Sequence, residues 1–107
     1  MVERIAEESL IAIRASGERL SVTAGIGRPF QVGPEEWACP VTLVELYQNL
    51  GDVHGGSSLQ AVCLAASLIR NLLTDFVENG GRLLYDDGQS EFDVNACFSA
   101  VGKPPAV

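Results

Sequence analysis

One long amphipathic segment constrains the fold of this chain more than any other feature. Between Ser58 and Asn79, apolar residues recur at intervals of three and four, the spacing of one helix face. The predicted stripe consists of Leu59, Val62, Ala66, Ile69, Leu73 and Phe76, and Ala65, Leu68, Leu72 and Val77 widen it into an apolar arc of about 180°. Ser57 and Gln60 match a capping box at the start, with Ser58 as the alternative cap, and Gly80 follows as a stop. The segment predicts one helix with an apolar side that covers a sheet.

The chain before this helix alternates between apolar and polar residues, as half-buried strands do. We expect strands over 9–14 and 19–26, joined by a turn at Ser16-Gly17. A third strand is predicted over 37–46, at an edge or with a bulge, because Pro40 cannot donate to a strand ladder. The segments between and after these strands, 27–36 and 47–58, have the glycine and proline content of loops.

The chain after the helix predicts a short hairpin, with strands over 82–87 and 90–94 around Gly88. Residues 95–101 suit either a helical turn or a last strand. The fold class is therefore α+β: a mostly antiparallel sheet of about four to five strands, made of a three-strand meander and the hairpin, with the helix packed on one face. We expect a single domain over 1–101 and a frayed tail over 102–107.

The charge balance limits the classes of partner. Seven basic against fourteen acidic residues give a formal net charge of −7, and the arginines are scattered along the chain, which disfavours binding to nucleic acid. We also expect no membrane span, because no run of about 18 uninterrupted apolar residues occurs. The acidic N-terminus does not resemble a signal peptide, so a cytoplasmic location is predicted.

The three cysteines favour small buried residues over a metal site. Cys39, Cys63 and Cys97 lie among apolar neighbours, and together with His54 they could in principle supply four zinc ligands. Their separations include no paired C-x-x-C or H-x-x-x-H spacing, so we predict neither a metal nor a cofactor. Whether all three thiols are purely structural is left open by the sequence.

The segment His54-Gly55-Gly56-Ser57-Ser58 suggests two kinds of chemistry. Glycines before a helix start can let the backbone bind an anion, but the lysine of a phosphate-binding loop is missing here. His54 could act as a general base oriented by Asp52, yet no nucleophile motif surrounds Ser57. Helix capping is therefore the favoured interpretation, and His54 and Asp52 are kept as candidate contact residues.

Arg28 and Trp37 form a second candidate pair. An arginine beside an exposed aromatic residue is typical of the central residues of a protein interface. The alternative is that Trp37 packs into the core while Arg28 caps a carbonyl or pairs with a glutamate, and this alternative is favoured.

Three short motifs resemble a family of small bacterial cytosolic proteins catalogued as a domain of unknown function. They are Ile-Gly-Arg-Pro at 26–29, Trp37 followed by Cys39-Pro40, and Ser-Leu-Gln-Ala at 58–61. The resemblance covers about residues 3 to 85. It implies a bacterial cytosolic protein, and it carries over no catalytic residue.

Two hypotheses about function follow. The first is a non-enzymatic protein-interaction module that binds a protein partner, such as a basic one in the manner of an immunity protein, or that self-associates as a homodimer. The second is a small-molecule-binding protein or minor enzyme that uses Arg28 and the loop from Asp52 to Ser57. We predict no catalytic residue, and we name Arg28, Trp37, Asp52 and His54 as the candidate interaction or ligand contacts.

Overall fold

The computed structural model describes residues 3–98, and the predicted tail over 102–107 lies outside this range. Within it the chain forms seven strands and two helices. In order they are β1 (Arg4–Ile13), β2 (Arg19–Gly27), β3 (Phe30–Gly33), β4 (Glu36–Cys39), β5 (Val41–Val44), β6 (Val53–Gly55), α1 (Ser58–Glu78), β7 (Arg82–Tyr85) and α2 (Val94–Phe98). The α+β class is confirmed, and the strand pairing is antiparallel throughout these elements.

The larger sheet contains four strands in the order β5-β2-β1-β7. β1 begins at Arg4, five residues before the predicted start, because its charged residues suit an exposed end of the sheet. A register shift between Arg4 and Ala6 brings the Arg4 guanidinium to 2.8 Å from the Glu7 carboxylate. The core side of this sheet carries Leu10, Ala12 and Val22, all buried.

The smaller sheet contains three strands in the order β3-β4-β6. β3 and β6 lie in segments predicted as loops, and they are only four and three residues long. The predicted third strand divides at Pro40 into β4 and β5, which belong to different sheets. The Pro40 carbonyl accepts a hydrogen bond from the Gly27 N–H at 2.8 Å, so this corner is fastened to the end of β2.

The helix α1 packs against strands of both sheets, and its bounds match the prediction to within one residue. Its buried face is narrower than the predicted apolar arc: Ala65, Ile69 and Leu73 of the arc are buried together with Ala61, whereas Leu59 is 73% exposed. Alanines at the contact let the helix axis approach the strands closely, which large side chains would prevent. Small residues therefore form much of the contact face.

By length and composition α1 is also apolar enough to cross a membrane. That composition is equally typical of the core helix of a soluble protein, and the buried face of α1 contacts both sheets here. α1 is therefore the packing element that the two sheets share.

The segment after α1 forms the predicted hairpin in reduced form. Leu84 of β7 forms an isolated antiparallel bridge with Glu91, and the Phe92 N–H donates a hydrogen bond to the Leu83 carbonyl at 2.9 Å. The chain then enters the short helix α2, where the Asp93 carboxylate accepts from the Asn95 N–H at 2.9 Å. Residues 95–98 are thus helical, and 99–101 lie outside the described residues.

Candidate interaction surface

The outer face of the smaller sheet brings together residues from all three of its strands. Phe30 pairs with Ala38, and Ala38 pairs with His54, so these three side chains form a row across the sheet. Glu36 lies two residues before Ala38 and therefore points to the same side. Its Oε2 lies 2.7 Å from His54 Nδ1. We call these four residues the Phe30 face.

Exposure separates the members of the Phe30 face. Phe30 is 45% exposed at the start of β3, while Ala38 beside it is buried. The side chains of His54 and Glu36 are both more than half exposed. The surface therefore has an apolar part with an exposed ion pair next to it.

Trp37 lies on the opposite side of the same sheet. It pairs with Gly55 and packs with Cys39 and Val53 against the core, which is the arrangement favoured for it by the sequence. Because neighbouring residues of a strand point to opposite faces, Trp37 and His54 are separated by the sheet. The two candidates do not form one site.

Arg28 lies in the link between β2 and β3, next to the Phe30 face in sequence. Its backbone N–H donates to the Glu3 carbonyl at 2.7 Å, and its guanidinium lies 3.4 Å from the Glu3 carboxylate. Both side chains are about 70% exposed, so solvent and salt screen this ion pair strongly. Arg28 is thus held at the surface by its backbone and only loosely by its charge.

The start of α1 is capped as its sequence predicts. The Ser57 hydroxyl accepts from the Gln60 N–H at 3.1 Å, and the Gln60 side-chain oxygen accepts from the Gly56 N–H at 2.5 Å. The Ser57 carbonyl also accepts from the Ala61 N–H at 3.0 Å. The cap therefore satisfies the Gln60 N–H, as predicted, while the Gln60 side chain reaches back to Gly56 and not to the Ser57 N–H of a standard capping box.

Asp52 lies just before β6 and acts electrostatically on a thiol. Burial, followed by the negative charge of Asp52, raises the pKa of Cys39. Burial and the charge of Glu8 likewise raise the pKa of Cys97. Cys39 is buried as the sequence predicts, whereas Cys63 and Cys97 lie on exposed sides of α1 and α2, so the prediction of buried thiols is wrong for these two. Among residues 3–98, no group of three or more histidine, cysteine, aspartate or glutamate side chains is arranged to hold a metal ion.

Four surface cavities have volumes from about 190 to about 500 Å³. The most voluminous lies between the end of α1 and residues 91–95. Neither Arg28 nor residues 52–57 line any of the four. The candidate residues therefore belong to an open surface and not to these cavities.

Three residues of the Phe30 face were missed by sequence reasoning: Phe30 itself, Glu36 and the buried Ala38. Phe30 and Val32 alternate with polar Gln31, which is a strand pattern, but Pro29 and Gly33 favoured a loop. Glu36 is one of two adjacent glutamates, and only the pairing of β4 with β6 decides which of them reaches His54.

The chain matches no protein-family model, no curated protein and no solved structure. The resemblance of its three short motifs to a bacterial family accordingly stays a prediction.

Proposed function

We propose that this protein is a protein-interaction module that binds a protein partner through the Phe30 face and the adjoining Arg28. The observation that carries the proposal is the exposure of Phe30 at the start of β3, where 45% of its surface is open to solvent. Aromatic residues are enriched at the centres of protein interfaces, where covering them removes apolar surface from water.

The surroundings of Phe30 support this assignment. Protein interfaces combine an apolar centre with a polar rim, and arginine is one of the residues that contribute most to binding. Here Phe30 forms the apolar part above the buried Ala38, the His54–Glu36 pair lies on one side, and Arg28 lies near the start of β3. The weak Arg28–Glu3 pair leaves the guanidinium available to a partner's carboxylate or carbonyl.

The form of β3 favours side-chain recognition over strand addition. β3 forms one edge of the smaller sheet, but it is four residues long, it follows Pro29, and its register shifts between Gln31 and Gly33. Short, bulged edges flanked by proline resist pairing with another strand. A partner is therefore expected to cover the face of the sheet and contact Phe30 from above.

The test is capture of binding proteins from a lysate of the source organism on immobilised protein, with proteins identified by mass spectrometry. Phe30→Ser should abolish capture of a specific protein, because the substitution removes the apolar centre while Phe30 contributes little to the core. Leu59→Ser is the matched control, since Leu59 is 73% exposed elsewhere and should leave capture intact.

Sedimentation velocity on the same three proteins tests self-association. A wild-type dimer that Phe30→Ser converts to a monomer would identify a second copy as the partner. A monomeric wild-type protein whose captured proteins are all retained by Phe30→Ser would contradict the proposal.

A further inference from the structure

A groove lies at the opposite end of α1 from the Phe30 face. It has a volume of about 500 Å³ and is formed by the last turns of α1 and by the segment that leads into α2. Its lining consists of Thr74, Val77, Glu78, Glu91, Phe92, Asp93, Val94 and Asn95. We call it the α1–α2 groove. Its volume lies within the range of about 300 to 1,000 Å³ typical of ligand pockets.

The groove has an apolar lining on both walls. Val77 is 42% exposed on the helix side, while Phe92 and Val94 are nearly buried on the other side. Phe92 is fixed in place by an edge-to-face contact with Tyr85, with ring centroids 5.2 Å apart. An apolar side chain placed in the groove would therefore cover Val77 and meet a preformed surface.

The charges around this lining are negative. Glu78, Glu91 and Asp93 all line the groove, and its lining contains no basic residue. Glu91 is 2.6 Å from Arg82, and Asp93 accepts backbone hydrogen bonds at the start of α2. The Glu78 carboxylate has no ion-pair or hydrogen-bond partner among residues 3–98. One full negative charge is thus uncompensated at the groove.

The end of α1 adds to this negative potential. A helix carries a partial negative charge at its C-terminus, which basic residues in the last turn usually offset. The last turn of α1 contains no basic residue. Four of the six arginines, at positions 4, 14, 28 and 82, pair with carboxylates outside this turn. A cation from another molecule would therefore be stabilised at the groove.

We propose that the α1–α2 groove binds a basic segment of a protein, in which an arginine or lysine neighbours an apolar side chain. The apolar side chain covers Val77 and contacts Phe92 and Val94, and the cation pairs with Glu78. Charge complementarity selects this occupant over an acidic or neutral segment.

This proposal is independent of the Phe30 face. Sixteen residues separate Val77 from Ala61, where α1 contacts the smaller sheet, a distance of about 24 Å along a helix. Loss of binding at one surface should therefore leave binding at the other unchanged.

The experiment uses the full chain and labelled ten-residue peptides of alternating arginine and leucine, with fluorescence anisotropy as the readout. We expect the arginine-leucine peptide to bind. Peptides that alternate glutamate with leucine, or arginine with glycine, should bind at least tenfold more weakly. Raising the salt concentration from 0.05 to 0.5 M should weaken binding, as expected for exposed ion pairs.

Variants locate the site. Glu78→Gln combined with Asp93→Asn should weaken binding about two- to thirtyfold, from roughly 0.2 to 1 kcal/mol for each exposed charge pair. Asparagine retains the capping function at position 93. Glu35→Gln combined with Glu45→Gln removes two exposed charges that do not line the groove and should change binding less than twofold. Val77→Ser tests the apolar contact separately and should also weaken binding.

Two results would overturn the proposal. One is the absence of binding by the arginine-leucine peptide at up to 1 mM concentration. The other is equal affinity for the Glu78/Asp93 and Glu35/Glu45 variants, which would show that overall charge, and not the groove, attracts the peptide. Circular dichroism and thermal denaturation of each variant serve as the independent check that it is folded.

Discussion

Gly55 lies against the first turn of α1, so close to Ala61 that a Cβ on the glycine would stand 2.7 Å from the Ala61 backbone nitrogen. Real Cβ atoms essentially never approach so closely, and the obstacle is helix backbone, which cannot swing aside as a side chain does. The glycine before the helix therefore serves packing between β6 and α1, in addition to its place in the loop.

The first prediction concerns this contact. Gly55→Ala should lower the free energy of unfolding by roughly 1–3 kcal/mol, the usual cost of overpacking. The measurement is urea denaturation followed by circular dichroism. Gly51→Ala is the control, because a Cβ there meets nothing within 4 Å and should be close to neutral. Equal stability of the two variants would mean that β6 and α1 separate more easily than their contact implies.

The second prediction distinguishes the two serines at the start of α1. Ser57→Ala should destabilise the protein by about 1 kcal/mol, because its hydroxyl accepts the Gln60 N–H. Ser58 lies inside the first turn, so Ser58→Ala should have little effect. Thermal denaturation of both variants measures the effect. A larger loss of stability in Ser58→Ala than in Ser57→Ala would identify Ser58 as the capping residue.

The third prediction follows from the small residues on the buried face of α1. Ala65→Leu should cost roughly 1–3 kcal/mol, because the added atoms have no space between helix and sheet. Cys63→Leu, at an exposed position of the same helix, should stay within about 0.5 kcal/mol of wild type. If Ala65→Leu were tolerated, the helix would have to pack more loosely than its burial indicates.

The fourth prediction concerns pH. Hydrogen bonds from the Gln89 N–H, the Ser90 hydroxyl and the Ser90 N–H lower the pKa of Asp87 from its ordinary value of 3.8. Because folding lowers the pKa of Asp87, its ionised carboxylate stabilises the folded protein at pH values above the pKa of the unfolded state. This contribution to the free energy of unfolding is lost as the pH falls through the pKa of the folded state. A titration of the Asp87 carboxyl carbon by NMR should therefore have its midpoint below 3.8.

Ser90→Ala provides the control for this titration. It removes the side-chain donor at 2.7 Å and keeps the backbone donors, so the midpoint should rise part of the way toward the ordinary value. An unchanged midpoint in the variant would assign the shift to the backbone alone.

The sequence predicted those parts of the fold that local pattern determines. The helix was placed almost to the residue because its periodicity is long and its capping residues are specific. β2 was also predicted closely, since it alternates over nine residues. β3 and β6 were not predicted, because strands of four and three residues carry too little alternation and are defined by their pairing with β4.

The face of α1 shows a different limit of sequence reasoning. Large apolar residues such as Leu59 dominate a hydrophobic pattern, but close contact with a sheet selects small ones such as Ala61. The candidate site was limited in the same way. His54 and Arg28 were named from the sequence as candidate contacts and are exposed, and their contact with a partner stays a prediction, whereas Phe30 became visible only once β3 was paired with β4.

The shared packing of α1 has a mechanical consequence. A helix that contacts one sheet can turn about its own axis and still find apolar neighbours, but α1 contacts strands of two sheets. Turning it by one residue, about 100°, would place the larger Gln60 or Val62 where Ala61 lies against the smaller sheet. Rotation of α1 about its axis is therefore restricted, so the Phe30 face and the α1–α2 groove keep a fixed distance from each other. A single partner that touched both would meet them at a constant spacing.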